Sequence, residues 1–423
     1  GQGALAANTT AGSNTAVGNG ALYVNTTGAY NTAVGANALD GNTTASSNTA
    51  MGYGALGANT TGANNIAIGV STLDANTTAH DNVAIGNSAM TASNSADNVA
   101  IGNLALTALT SGASNVAIGS LALDAATTGT QHVAVGYATA SAVTTGNSLT
   151  AIGFQALKAN TTGADNAALG ENTLYACTTG SNNTGIGTCL RTLTTADANT
   201  AVGKNSLTTS NGSGNTALGY NCASSVSTGT GNVAVGYQAA TDSVALTTGS
   251  NNVVIGNGVR TDDNAGVNQI VIGQDFAGAT DNSASFGKSG NFVYNVFTTD
   301  NSWTRSSDIR LKQEIEEDDL GLDFINELKP VTFKWRPSWD VAKELYNHRD
   351  DEENHMDTDT VVHGMVAQDV KAALDKVGCD TFSGWKVEGD GTEALAREMF
   401  VYPLINAIQE LSAEIEKLKK EQN

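Results

Sequence analysis

The sequence holds three prolines, four cysteines and few charges, with only 14% of its 423 residues Asp, Glu, Lys or Arg. So little proline leaves long stretches free to pair backbone to backbone, because proline cannot donate to a ladder. Cys177, Cys189, Cys222 and Cys379 form neither CxxC pairs nor a dense framework. Free, buried thiols are expected, as in a protein assembled in a reducing cytosol. Positive charge is scarce, and the net charge of −21 argues against a nucleic-acid partner, which would want a basic face. No run reaches the length of a membrane span and no signal peptide is read, so membrane insertion is not expected. Charge is also unevenly spread. Residues 1–300 carry five basic and 14 acidic groups, whereas the 123 residues from 301 carry 15 and 27.

Glycine is abundant, at 47 residues, and it keeps time. The phrase NTAVG and its variants close at Gly18, Gly35, Gly52, Gly69, Gly86 and Gly102, and continue to Gly273 and Gly287. Nearly every step is 16 or 17 residues, which marks a solenoid with a 17-residue unit. Before each glycine stand a large residue, an alanine and a large aliphatic residue, as in Val83-Ala84-Ile85. That alternation predicts a short strand. Four residues after the glycine comes Leu or Met (Leu22, Leu39, Leu56, Met90), from which a second short strand is expected. Polar NTTG turns such as Asn25–Gly28 separate the units; there glycine is expected to supply positive φ, and asparagine to bond its own backbone.

Two strands and two turns per unit give a parallel β-roll, expected to bury the large aliphatic row (Ile85, Ile101, Ile118) and expose the NTTG turns. The repeat phrase resembles the head repeats of trimeric autotransporter adhesins, whose unit is somewhat shorter. One coil is too thin to bury a core alone, and the alanine rows are read as packing against copies of the same chain, so three chains are expected. Asparagine recurs four before the glycine (Asn14, Asn31, Asn48, Asn82, Asn98, Asn115) and is read as a stacked hydrogen-bonded ladder. Aromatics that the array lacks (Phe286, Phe292, Tyr294, Phe297, Trp303) mark a cap. The expected domains are a shaft over 1–287, a cap and linker over 288–307, and a further domain over 308–423.

That last domain opens on SSDIRLKQEI, Ser306–Ile315. A hydroxyl at Ser307 and an amine at Lys312 lie five residues apart. A desolvated lysine loses its proton near neutral pH and can activate a serine as nucleophile. Leu320–Leu328 reads as a helix, Val331–Trp335 and Val361–Val366 as strands, Ala367–Val377 as a helix, and helix dominates from Glu393. Leu404, Ile408, Leu411, Ile415 and Leu418 step by four and three, a coiled-coil seam over about 401–420. His348 and His355, near Asp350, Asp351, Glu352 and Glu353, read as a solvated loop rather than a metal site.

The order SDIRLKQEI, LDFINELKPVTFKW, HGMVAQDV and VYPLINAIQELSAEIEKLKK resembles the C-terminal intramolecular chaperone domain of endosialidase-type phage tailspikes, a self-cleaving peptidase family. The resemblance covers roughly residues 303–420, an α+β domain ending in a coiled-coil helix. It implies a Ser307–Lys312 dyad, a cut between Ser307 and Asp308, and a homotrimer. His363 departs from the apolar or polar strand residue expected there, leaving the dyad untouched.

The chain is therefore expected to be a mainly β, trimeric tail fibre or tailspike. Its C-terminal domain would template the trimer and then be released by single-turnover autocleavage. The expected partners are a homotrimer and a host-surface polysaccharide or other envelope receptor. Assembly is placed in the host cytoplasm, and the mature protein on the virion, outside the cell. The alternative is a bacterial trimeric surface adhesin, but such proteins end in membrane-anchoring strands, whereas this chain ends Lys-Lys-Glu-Gln-Asn. No cofactor or metal is expected. Glycan cleavage needs paired carboxylates, and Asp40, Asp74 and Asp124 read as isolated turn residues.

Overall fold

The computed structural model describes residues 1–241, 245–299, 302–303, 307, 309–345, 348–349, 354 and 356–422. The chain divides into two compact units, Gly1–Ser306 and Ser307–Asn423.

In the first unit each repeat contributes one short strand, ahead of its closing glycine or, in the last three coils, running through it. Among the described residues, seventeen such strands run from Thr15–Val17 to Ser283–Lys288, each parallel to its neighbours in sequence. Register aligns like with like: Thr15 opposite Thr32, Ala16 opposite Ala33, Val17 opposite Val34. This is a mainly β parallel solenoid. Its last strand turns back into an antiparallel partner, Asn291–Val296, which ends the stack. The aromatic residues of that hairpin pack on one another and on the final coils, with Phe276–Phe292 centroids 5.3 Å apart and Phe286–Trp303 at 5.4 Å.

The second strand expected around Leu22, Leu39 and Leu56 does not form. The chain turns there, and these leucines hold left-handed φ angles of 51°, 52° and 52°. That conformation costs a non-glycine residue about 1–2 kcal/mol. Complete burial of a leucine stabilises by about 1.5–3 kcal/mol, enough to hold the corner. The closing glycines do need to be glycine. Gly18 sits at φ 137°, and a Cβ there would overlap the Gly35 carbonyl of the next coil. The NTTG glycines are different: Gly28 does not have positive φ, and its missing side chain makes room for the Ala45 carbonyl. The turn is also half-buried, with Asn25 and Gly28 inside and Thr27 exposed.

The burial order of the strand rows is the reverse of the one expected. Alanines (Ala33, Ala50, Ala67, Ala84, Ala100, Ala117) point into the coil and are fully buried. The large aliphatic row points out, with Ile85 and Ile101 half-buried and Ile118 37% exposed. A 17-residue coil has too little lumen for two bulky rows, so leucine fills it from one side and only alanine fits opposite.

Two asparagine rows complete the interior. In the row four before the glycine, most asparagine side chains grip the next coil twice, whereas Asn82 and Asn199 turn their Nδ2 to the preceding coil's asparagine and to their own turn. The Asn14 Oδ1 accepts the Asn31 backbone N–H at 2.9 Å, while its Nδ2 donates to the Gly28 carbonyl at 2.8 Å. The pattern repeats at Asn31, Asn48 and Asn65, and again at Asn166, Asn183, Asn215, Asn232 and Asn252. In the second row, Asn42, Asn59 and Asn76 each donate to the asparagine one coil earlier. This row is interrupted from Ser93 by buried Leu109, Ala126 and Val143, and asparagine returns at Asn160.

Among its described residues the second unit contains three α-helices, α1 (Leu322–Glu327), α2 (Ala367–Val377) and α3 (Val401–Glu421). Two antiparallel strand pairs accompany them, Val331–Phe333 with Val362–Gly364 and Trp385–Val387 with Glu393–Leu395. The helix expected from Glu393 thus begins later, because 393–395 pairs as a strand. Leu320, Phe324, Val370, Leu374 and Phe400 form the core. No described helix is long and apolar enough to cross a membrane.

His132 takes an asparagine's place in the first row, its Nδ1 accepting the Leu149 N–H at 3.3 Å. Burial pushes it down to about 4. An unfolded histidine titrates near 6.5, so between those values the unfolded chain binds the proton and the folded chain does not. Stability therefore falls as pH drops from about 6.5 to 4, by about 3 kcal/mol per chain from this group. His132→Asn should remove that component, and urea midpoints of variant and parent should diverge steadily over this range. Parallel midpoints would show that His132 does not set the slope. The four thiols are free, and Cys177, Cys189 and Cys222 are buried and raised by burial to about 11, 12 and 11. Only Cys379, which is partly exposed, should react with a thiol reagent in the native protein, the other three waiting for denaturant.

Candidate self-cleavage site

The second unit begins with Ser307. A single 3-10 turn, Ile309–Leu311, folds the chain back, and the Lys312 N–H donates to the Ile309 carbonyl at 3.1 Å. The turn brings the long lysine arm over the serine: Lys312 Nζ donates to Ser307 Oγ at 2.8 Å. That is within reach for proton transfer between a nucleophile and its base. Both residues are exposed in the single chain. Beyond the lysine, Glu314 takes a left-handed φ of 55°, which redirects the backbone. Asp308, on the far side of the expected cut, lies outside the described residues, as do Asp350, Asp351, Glu352, Glu353 and His355. His348 is described, and its Nδ1 lies 2.7 Å from the Val341 carbonyl oxygen.

Downstream, α3 holds the approach to α1. Asn406 Nδ2 donates to the carbonyls of Asp318 and Leu320 at 3.0 and 3.1 Å, and the Glu410 carboxylate accepts the Leu322 N–H at 2.9 Å. A carboxylate at the free N–H groups of a helix start is favourable both as a hydrogen bond and as a charge. Gly321 leaves room for it, since a Cβ there would overlap the Glu410 carboxylate.

The seam residues Leu404, Ile408, Leu411, Ile415 and Leu418 lie along α3 and are 44–64% exposed in the single chain. Pro403 and Ala407, on the adjoining face of the helix, are buried. Sequence reasoning did not find the groove beside the first strand pair, about 770 Å³, lined by Phe333, Trp335, His363, Met365, Leu395 and Arg397. Its one signal was the spacing of Phe333 and Trp335, two apart on an extended segment.

In the first unit the aspartates are not all isolated. Asp40 and Asp74, two coils apart, converge over Gly57. Their carboxylate oxygens lie 3.4 and 3.0 Å from where its Cβ would stand. Tyr53, Asn37 and Ser71 line the same depression. Burial, with the Asp74 charge adding to it, raises the Asp40 carboxyl above its ordinary range. The sequence hid this pair because a glycine replaces the residue between them. His80, Asp81 and Asp97 also bring one ligand atom each within 4.8 Å of one another, on exposed surface.

No curated protein and no solved structure matches the chain. The segment that opens on Ser307 does have a recognisable counterpart: residues 307–379 match the family model for the chaperone of endosialidase.

Proposed function

We propose that the protein is a homotrimeric tail-fibre or tailspike shaft that carries its own folding template. The second unit sets the register of three chains, then detaches by one Ser307–Lys312 cleavage between Ser307 and Asp308. The shaft serves host attachment on the virion, with a host-surface polysaccharide or other envelope receptor as its partner.

The observation that carries the trimer is the outward aliphatic row. In every coil from Val17 to Ile272 a Val, Ile, Leu or Met stands just before the closing glycine, and none is fully buried in the single chain. With neighbouring strands ~4.8 Å apart, the row runs for about 80 Å. Two side chains wide, that is on the order of 800 Å² of apolar surface, more than a soluble monomer ordinarily leaves to water. A partner that covers the whole strip must repeat at the same spacing, and another copy of the array does so. The exposed seam on α3 asks for the same partner.

The dyad supplies the chemistry. An amine 2.8 Å from a hydroxyl can take its proton as the oxygen attacks a carbonyl, then return a proton to the departing amide nitrogen. Release of the template would leave a shaft that cannot re-enter its folding route, so its persistence becomes a matter of rate.

Residues 1–307 expressed alone are expected to aggregate or assemble out of register. The same residues obtained by cleavage of the full chain should form a trimer that resists heat and detergent. Leu411→Asp with Ile415→Asp should mimic the early deletion, because buried charges split the helices. Ser307→Ala and Lys312→Ala should each leave the chain at full length by intact mass. A directly expressed 1–307 piece that forms an equally stable trimer would remove the templating role. Processing that persists in the serine variant would remove the dyad.

A further inference from the structure

The hydroxyl and the amine of the dyad belong to one chain, 2.8 Å apart. In the proposed cut, the carbonyl to be attacked is that of Ser307 itself. Within one residue the Oγ reaches that carbon only by closing a four-membered ring through Cβ and Cα. Ring angles near 90° depart from tetrahedral by about 20°, and a 15° distortion at a single backbone angle already costs about 4 kcal/mol. Attack within the residue is therefore closed off. A second observation points the same way. Ser307 and Lys312 are both exposed in the single chain, whereas a lysine acting as base needs shielding from water.

We propose that the cut is made between copies: the Ser307–Lys312 pair of one chain attacks the Ser307–Asp308 bond of its neighbour in the trimer. This inference rests on the dyad and trimer reading above. The neutral Lys312 amine takes the proton from Ser307 Oγ as that oxygen bonds to the neighbour's Ser307 carbonyl carbon. The C–N bond to Asp308 then breaks, and the ammonium returns a proton to the departing nitrogen. An ester now links the two chains. Water, deprotonated by the same amine, hydrolyses it, leaving a carboxylate at Ser307 of the cut chain and a free hydroxyl on the attacking chain. The neighbour thus provides both the carbonyl and the cover that the pair lacks. In a cyclic trimer each chain cuts one neighbour and is cut by the other.

The test uses full-length chains in mixed trimers. Tagged Ser307→Ala chains are co-expressed with untagged wild type, trimers with one wild-type chain are isolated, and the fragments are weighed. The expected result is that about one chain in three is cut, that the cut chain carries Ser307→Ala, and that the released fragment begins at Asp308. Trimers of Ser307→Ala with Lys312→Ala should stay whole, because hydroxyl and amine then lie on different chains. If wild-type chains are cut and their Ser307→Ala neighbours are not, attack is within the chain and the proposal falls. A fragment beginning at Ser307 also overturns it, since that product follows from a five-membered ring closed on the preceding carbonyl. Restored cutting in the Ser307→Ala with Lys312→Ala trimers would break the same-chain pairing on which the proposal stands. Cutting in trimers made wholly of Ser307→Ala would be a different failure, that of the dyad reading itself.

Discussion

The array depends on the two-bond grip that most first-row asparagines make on the coil after them. A parallel strand of three residues satisfies few backbone groups, and at its leading corner an N–H faces the interior with no strand carbonyl opposite. The Asn14 Oδ1 meets that N–H on Asn31, and its Nδ2 meets the Gly28 carbonyl. Both groups are buried, and an unmet buried donor or acceptor costs about 1–3 kcal/mol. Removing the amide would therefore cost more than the bond itself is worth. This explains why the row tolerates so little. Its exceptions are His132, whose ring nitrogen still accepts the next N–H, Leu149 after it, and Gln269 and Ser283 in the last coils.

The second asparagine row shows the opposite rule. Its amides hydrogen-bond mainly to one another and to their own turns, as Asn42 does with Asn25 and the Ala45 carbonyl. Where the row changes to Leu109, Ala126 and Val143, the amides are gone and apolar contact takes their place, at the cost of the bordering Asn76 and Asn160 amide oxygens, which are left without a partner. Replacing both partners with apolar groups can be nearly neutral, whereas removing one is not. The two rows look alike in sequence, yet only the row that grips the backbone of the next coil is fixed.

This distinction decides how much could be read in advance. Glycine spacing gave away the coil, since Gly18 and its equivalents need both positive φ and close approach. Spacing also gave away α2, which runs over Ala367–Val377 as the pattern predicts. It could not say which strand row points inward, because alternation is symmetric until lumen size is known. The second strand failed for a related reason: a buried leucine every 17 residues fits a strand or a left-handed corner equally well. The dyad contact was legible as two residues five apart, but its exposure was not. Asp40 and Asp74 stand 34 residues apart with a glycine at the coil between, so only the stacking of coils brings them together.

Like-with-like stacking carries a cost in specificity. A slip of one whole unit between two arrays would place Val on Val and Ala on Ala again, as neighbouring coils already do. Few features break this symmetry: the short steps before Gly102, Gly203 and Gly219, the long step before Gly256, and the terminal hairpin. A slipped pairing therefore loses little energy per coil and gives weak guidance during folding, when long-range pairing is slow in any case. A register mark is most effective outside the array, where its sequence does not repeat. The helix α3 has that character, with one face committed within its own chain through Asn406 and Glu410 and the other open along Leu404 to Leu418. Its own-chain face fixes Asp318–Leu322, the stretch that follows Lys312. A helix that aligns three copies would therefore also hold, in each copy, the segment leading back to the dyad, and cutting would be tied to alignment by the same helix.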